Sequence, residues 1–338
     1  MKFFKYLLFL VLIIIIALSV YIAVQPGSYD ITRTRVIAAP KALIYDQVID
    51  YTTWPQWTTW AEKDPNAKIE FGEQSKGVGG SYSWVDKDGR GNMKTLEATP
   101  HVLIEQALQF EDYDPATVYW KFETVDSGTQ VTWGMKAEKM PFIFKGYATL
   151  YGGMDKMIGP DFESGLVRLD SLTVASMEKY NITVNGITEY GGGFYVYTSA
   201  STKIKDLSTK IEELMPKVGR YVAENNISTA GMPFTLYHSW DERNGTTLFS
   251  CAVPTTARVI TESNDILSGQ LEPFKALKVT LTGDYSNLEE AWEKAYLYIE
   301  ENKLEIAENA PMLEYYTTDP GDEPNPANWI TELYIALK

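Results

Sequence analysis

The first 27 residues, MKFFKYLLFLVLIIIIALSVYIAVQPG, constrain this chain more than any other stretch. Lys2 and Lys5 precede an uncharged run from Tyr6 to Val24. At about 1.5 Å of helical rise per residue, such a run crosses roughly the hydrocarbon core of a bilayer. By the positive-inside rule the two lysines stay in the cytoplasm and the body is sent outward, into the periplasm. The competing reading is a signal peptide, because Ala17-Leu18-Ser19 resembles a small-x-small cleavage site, and the body would then be secreted. The apolar run continues past Ser19 through Tyr21, Ile22 and Val24, and no cysteine is there to carry a lipid. An uncleaved anchor over residues 1–28, closed by Pro26-Gly27, is therefore expected.

The rest of the 338 residues is long enough for two domains. A formal net charge of −15 opposes a surface built for phosphates or anionic headgroups, so no nucleic-acid partner is expected. Cys251 is the sole cysteine, which rules out an internal disulfide and a cysteine zinc site. With only His101 and His238, neither a Ser-His-Asp triad nor a histidine metal site has much to draw on. No cofactor or metal is expected.

The alternating segment YDITRTRVIAAP (29–40) predicts a strand, and KALIYDQVIDYTTWPQWTTW a helix and a second short one split near Pro55. From about 67 to 150 short β-type runs alternate with turn signals at Gly79-Gly80, DKDGRGN (86–92) and DSG (126–128). A closing helix is expected from near Pro160 to about Met177, with Phe162, Leu166, Leu169 and Leu172 forming its apolar stripe. This order predicts an α+β domain, an antiparallel sheet gripping a helix, over residues 29–178.

The second half, 179–338, holds an internal repeat. KVGRYVAENNISTAGMPFTLYHSW (217–240) can be laid on KAYLYIEENKLEIAENAPMLEYY (294–316). With one residue inserted, Pro233 meets Pro311, Leu236 meets Glu314 and Tyr237 meets Tyr315. Each copy opens with an apolar-aromatic strand, GGFYVYTS or FKALKVTLTG, continues into an amphipathic helix, and closes in a hairpin at TTLFSCAVP or TELYIAL. Two βαββ units related by a pseudo-twofold axis are expected, with a ligand cleft where they meet.

Two resemblances follow from these motifs. RVIAAPKALIYDQVIDYTTWPQW and the long closing helix resemble the SRPBCC superfamily, the helix-grip fold of START-like and polyketide-cyclase-like proteins, which implies a cavity for a hydrophobic ligand. The duplicated unit, MLEYYTTDP and TELYIALK resemble the GyrI-like family, the effector-binding domain of AraC-type regulators. That resemblance implies a carboxylate in an aromatic-lined cleft, engaging cationic or polar ligands, and it lands on Glu314. Some family members hydrolyse reactive small molecules through acidic residues.

A buried carboxylate without a fixed positive partner favours an amine or other cation, or works as an acid or base. Aromatic walls strengthen the cation option. Tyr195, Tyr197, Tyr237, Trp240, Trp292 and Tyr316 are the candidates for those walls, and Glu332 for a second carboxylate in the cleft. Trp84, Trp120 and Trp133 are candidates to line the cavity of the first domain; Trp54, Trp57 and Trp60 are expected to pack. His101 is expected in a loop, and His238 could reach the cleft. The expected function is a membrane-anchored protein that binds a small hydrophobic or cationic aromatic molecule. A hydrolase of a reactive or ester-like molecule, with Glu314 positioning a water, is the alternative.

Overall fold

The computed structural model describes residues 2–308 and 311–338. It divides into two compact units, 1–176 and 177–338.

The first unit begins with α1 (Lys2–Val24), continues through β1 (Tyr29–Ile37), α2 (Lys41–Ile49), a 3-10 turn (Tyr51–Gln56) and α3 (Trp60–Lys63), and then enters a meander. Strands β2 (Lys68–Phe71), β3 (Ser81–Asp86), β4 (Gly89–Thr99), β5 (Leu103–Phe110), β6 (Ala116–Val125) and β7 (Gly128–Ala137) are each joined to the next. The antiparallel sheet has the order β1-β7-β6-β5-β4-β3-β2. Helices α4 (Phe142–Tyr151) and α5 (Met154–Met177) follow. The alternation in β6 turns Ala116, Val118, Trp120 and Phe122 inward and leaves Lys121 and Glu123 in solvent. Phe162, Leu166 and Leu169 of α5 form the buried stripe that meets this interior. Arg33 and Arg35 of β1 are ion-paired with Asp155, Glu163 and Asp170 of the same helix.

Two helix boundaries depart from the sequence reading. The closing helix starts at Met154, so Pro160 lies inside it instead of at its first turn. The break falls upstream, at Gly152 and Gly153, both with positive φ that an L side chain adopts only under strain. The preceding MPFIFKGYATLY, expected among the β-type runs, forms α4: its aromatic residues suit a strand, but their spacing suits a helix.

The second unit is an eight-stranded antiparallel sheet carrying α6 (Leu207–Glu224) and α7 (Leu288–Glu301). The strands are β8 (Asn181–Tyr190), β9 (Gly193–Lys203), β10 (Phe234–Asp241), β11 (Thr246–Thr255), β12 (Leu267–Leu271), β13 (Phe274–Thr282), β14 (Met312–Tyr316) and β15 (Ile330–Ala336). Their order is β12-β9-β11-β10-β14-β15-β13-β8. The two βαββ copies, β9-α6-β10-β11 and β13-α7-β14-β15, therefore meet at the central β10–β14 pair. The strand preceding each copy crosses over: β8 pairs with β13 and β12 with β9. That exchange was not expected, because pairing between distant strands leaves no local pattern.

The register corrects the internal alignment. The bridges Thr229↔Thr255 and Ile306↔Leu337 are equivalent, and from them the two hairpins run in step. Thr235↔Cys251 then matches Glu314↔Leu333, and Tyr237↔Phe249 matches Tyr316↔Thr331. Glu314 is thus equivalent to Thr235, not Leu236, and Tyr237 to Tyr316. Thr235 and Glu314 are also direct partners across the central seam, so the pseudo-twofold axis passes between them. The earlier alignment was one residue out, which turns every side chain to the wrong face.

Candidate functional site

Glu314 lies on the face of the sheet that carries the helices. Its partner Leu333 belongs to the cluster of Leu277, Val279, Ala291, Ala295 and Ile299 beneath α7. Side chains alternate along β14, so Met312, Glu314 and Tyr316 share this face while Leu313 and Tyr315 point the other way. Glu314 is 3% exposed.

Its oxygens are held from two sides. Trp292 Nε1, from the second turn of α7, donates to Oε1 at 2.7 Å. The Tyr316 hydroxyl donates to Oε2 at 3.0 Å and lies 2.9 Å from Thr235 Oγ1. The axis therefore runs through a triad of Glu314, Tyr316 and Thr235, with the symmetry-related Tyr237 on the far side. Burial pushes the Glu314 carboxyl above the usual carboxylate range, against the lowering effect of the Trp292, Tyr316 and Tyr237 donors. Desolvation exceeds hydrogen bonding because no cation is paired with Glu314 among the described residues. The same buried charge helps hold the Tyr237 and Tyr316 hydroxyls well above their normal range, after burial itself. Burial and then Glu314 raise the Cys251 thiol to about 12.

Rings enclose the carboxylate. Tyr237 meets Trp292 edge-on at 5.9 Å, and Trp292 stacks on Tyr296 at 6.1 Å. Tyr285 meets Tyr316 at 5.4 Å and Trp329 at 4.9 Å. Trp240, half exposed, touches Tyr237 at 5.9 Å and forms the outer rim. Beside Tyr316 in the ladder, the buried Thr331 Oγ1 has no hydrogen-bond partner. The helix ends supply the symmetry break: the buried Leu214, Val218 and Val222 of α6 correspond to Ala291, Ala295 and Ile299 of α7. Trp292 then stands where α6 has Met215, so both the acid and its indole donor are unique to the second copy.

Of the residues expected here, Glu314, Tyr237, Trp240, Trp292 and Tyr316 come together. Tyr195 and Tyr197 do not; they lie on the opposite face, against Phe234, Leu236 and Leu313. Glu332 is likewise turned away, because its ladder partner is Tyr315. It is neutralised by Lys278 Nζ at 2.8 Å and accepts from the Tyr334 hydroxyl at 2.5 Å. His238 sits at a bulge in β10 on that opposite face, where its Nε2 is 2.7 Å from Ser250 Oγ. Thr235, Thr331, Tyr285, Tyr296 and Trp329 escaped the sequence reading; only the correct repeat register would have pointed to Thr235 and Thr331.

In the first unit, Trp120 and Trp133 do face inward, but they are spent on packing. Their rings stack at 4.4 Å, Trp133 stacks on Phe162 at 4.1 Å, and Trp54 and Trp57 close around them. Gly165 permits this approach, since a Cβ there would lie 2.7 Å from the Trp133 ring. Trp84 is half-buried beside Tyr82. The indoles expected to wall a cavity thus form an aromatic core. His101 occupies a left-handed turn before β5, with its ring against Tyr45.

Comparison with solved structures finds protein CV1439 from Chromobacterium violaceum similar at 16% identity, covering 43% of this chain and 96% of that one, with a TM-score of 0.32. The C-terminal domain of EcmrR is similar at 17% identity, over 47% of this chain and 98% of its own, with a TM-score of 0.41. EcmrR in its complex with DNA is similar at 17% identity, over 58% and 71%, with a TM-score of 0.41. No curated protein matches the chain. Residues 195–338 match the GyrI-like small molecule binding domain, and the second unit of this chain therefore carries a GyrI-like domain.

Proposed function

We propose that this chain is a membrane-anchored small-molecule binding protein, in which Glu314 selects a cationic or polar-headed aromatic ligand. One observation carries the reading: a carboxylate 3% exposed, on the axis between two structural repeats, surrounded by aromatic rings and lacking a cationic partner among the described residues. Leaving a charge in that state costs free energy that a ligand cation would recover. Trp292, Tyr237 and Tyr316 surround that position, and a cation seated over the face of any of these rings gains further attraction. The unpartnered Thr331 hydroxyl offers a polar contact beside it. The carboxylate is covered, so binding requires the Trp292–Tyr237–Trp240 side of the shell to open.

The α1 helix is the anchor in this reading; its apolar stretch Phe3–Val24 is long enough to cross a bilayer. The first unit is read as a helix-grip, SRPBCC-like scaffold beside it. With an acidic body, the reading includes no nucleic-acid partner.

The test is a thermal-shift panel of cationic dyes, neutral aromatics and lipids on the native chain and on Glu314→Gln. A ligand that binds only the folded state raises its melting temperature. Shifts by cationic aromatics that vanish in the variant are expected. Equal loss for cationic and neutral ligands would sink the charge argument. Binding that survives while turnover of an ester panel is lost would make Glu314 a catalytic base instead.

A further inference from the structure

Helix α4 presents an apolar face to the outside of its unit. Ile143 is 60% exposed and Leu150 74%, with Tyr147 between them and Phe142 and Tyr151 at the flanks. At 3.6 residues per turn these five positions fall within one half of the helix circumference. The other half is committed inward: Ala148 is buried, and Phe144 packs edge-on against Phe110 at 5.8 Å and Tyr113 at 5.1 Å. The helix has no acidic residue, and Lys145 is its only charge. A soluble surface rarely leaves so many large apolar side chains together without a partner to cover them.

The location of α4 identifies the partner. Lys145 Nζ donates to the Ala23 carbonyl at 2.9 Å, which satisfies one of the open carbonyls at the end of α1. Ile22, the only buried residue of α1 among those whose burial is described, lies beside Gly146, where a Cβ would be 3.6 Å from its Cδ1. The rest of α1 from Phe3 to Val24 is exposed apart from a half-buried Ser19. The last turn of a membrane-length helix marks the edge of the hydrocarbon core. A helix fixed to that turn sits at the level of the headgroups, the depth favoured by tyrosine and short amphipathic helices.

We propose that α4 is an interfacial helix, with Ile143, Tyr147 and Leu150 seated in the headgroup–acyl boundary of the bilayer that α1 crosses. The inference rests on the reading of α1 as an uncleaved anchor. The contact is apolar and needs no anionic lipid, which agrees with the acidic body of the protein. It gives the first unit a second attachment to the membrane and fixes its tilt above the surface.

The test uses the full chain with Cys251→Ala, carrying one nitroxide-labelled cysteine at a time, in phosphatidylcholine vesicles. The labels go at Leu12 in α1, at Ile143 and Leu150 in α4, and at Ile260, a fully solvated control that is 91% exposed. Power saturation compares collisions with oxygen, which partitions into lipid, and with a water-soluble nickel chelate. The expected result is that Leu12, Ile143 and Leu150 collide mainly with oxygen, and Ile260 mainly with nickel. If Leu12 is in lipid while Ile143 and Leu150 follow Ile260, the anchor stands and the inference is overturned. Labels on α4 shielded from both reagents would show a protein partner instead of lipid, and would also overturn it. A nickel-accessible Leu12 would remove the anchor reading, and this inference with it.

Discussion

Glu314→Gln should make the second unit more stable at neutral and alkaline pH. The geometry suits an amide: its oxygen can keep the 2.7 Å bond from Trp292 Nε1. Its nitrogen can donate to the Tyr316 oxygen, leaving that hydroxyl free to donate to Thr235 Oγ1 at 2.9 Å. The exchange thus removes a buried charge while keeping the Trp292 and Tyr316 contacts, and the amide oxygen can still accept from the Tyr237 hydroxyl. A buried polar group left unsatisfied costs about 1–3 kcal/mol, a charged one more. The direction with pH follows from linkage. The Glu314 carboxyl titrates above the usual carboxylate range when folded, so the folded chain holds a proton that the unfolded chain has lost. Native stability therefore falls as pH rises from the unfolded carboxylate pKa through the folded one, and the loss is complete above both. The variant escapes that loss. At pH 8 its second unit should gain about 1–3 kcal/mol, or roughly 2–4 °C of melting temperature per kcal/mol in a unit of this size. At pH 4 the difference should close, because both forms are then neutral. Calorimetry of the full chain, with the two units resolved as separate transitions, reads this directly. A variant that melts lower at pH 8, or a gain that does not change with pH, would refute the reasoning.

Trp292→Phe should cost the second unit about 1.5–3 kcal/mol at pH 8, the range for a hydrogen bond to a charged group; chemical denaturation at that pH checks it, and an unchanged midpoint would deny Trp292 its role. Gly165→Ala should destabilise the first unit by about 1–3 kcal/mol through overpacking against Trp133, with the second transition in calorimetry unmoved. The Cys251 thiol, buried and raised to about 12, should resist a disulfide reagent at pH 8 in the folded chain and react fully in denaturant.

The sequence shows the two antiparallel sheets, the N-terminal apolar helix and the duplicated unit because each rests on short-range periodicity. Glu314, Trp292, Tyr237 and Tyr316 were also legible, as a carboxylate in an apolar strand and aromatic residues at strand and helix positions. The faces were not. Tyr195, Tyr197 and Glu332 look like Tyr237, Tyr316 and Glu314 in sequence, and only the ladder register puts them on opposite sides of one sheet. The register itself depends on the segment between α7 and β14, where the two copies differ in length and an alignment by residue likeness slips by one. Helix α4 was missed for a different reason. Its apolar side points outward, so the polar face that usually distinguishes a surface helix from a strand is absent.

The claim at the centre of this account is that the buried charge of Glu314 selects its ligand. The most direct measurement compares a cationic aromatic dye with its neutral isostere, titrated calorimetrically into the native chain and into Glu314→Gln at pH 8. The account predicts that the native chain prefers the cation by at least tenfold, about 1.4 kcal/mol, and that the variant loses this preference while still binding the neutral dye. A native chain that binds both dyes equally, or a variant that keeps the preference, would contradict it.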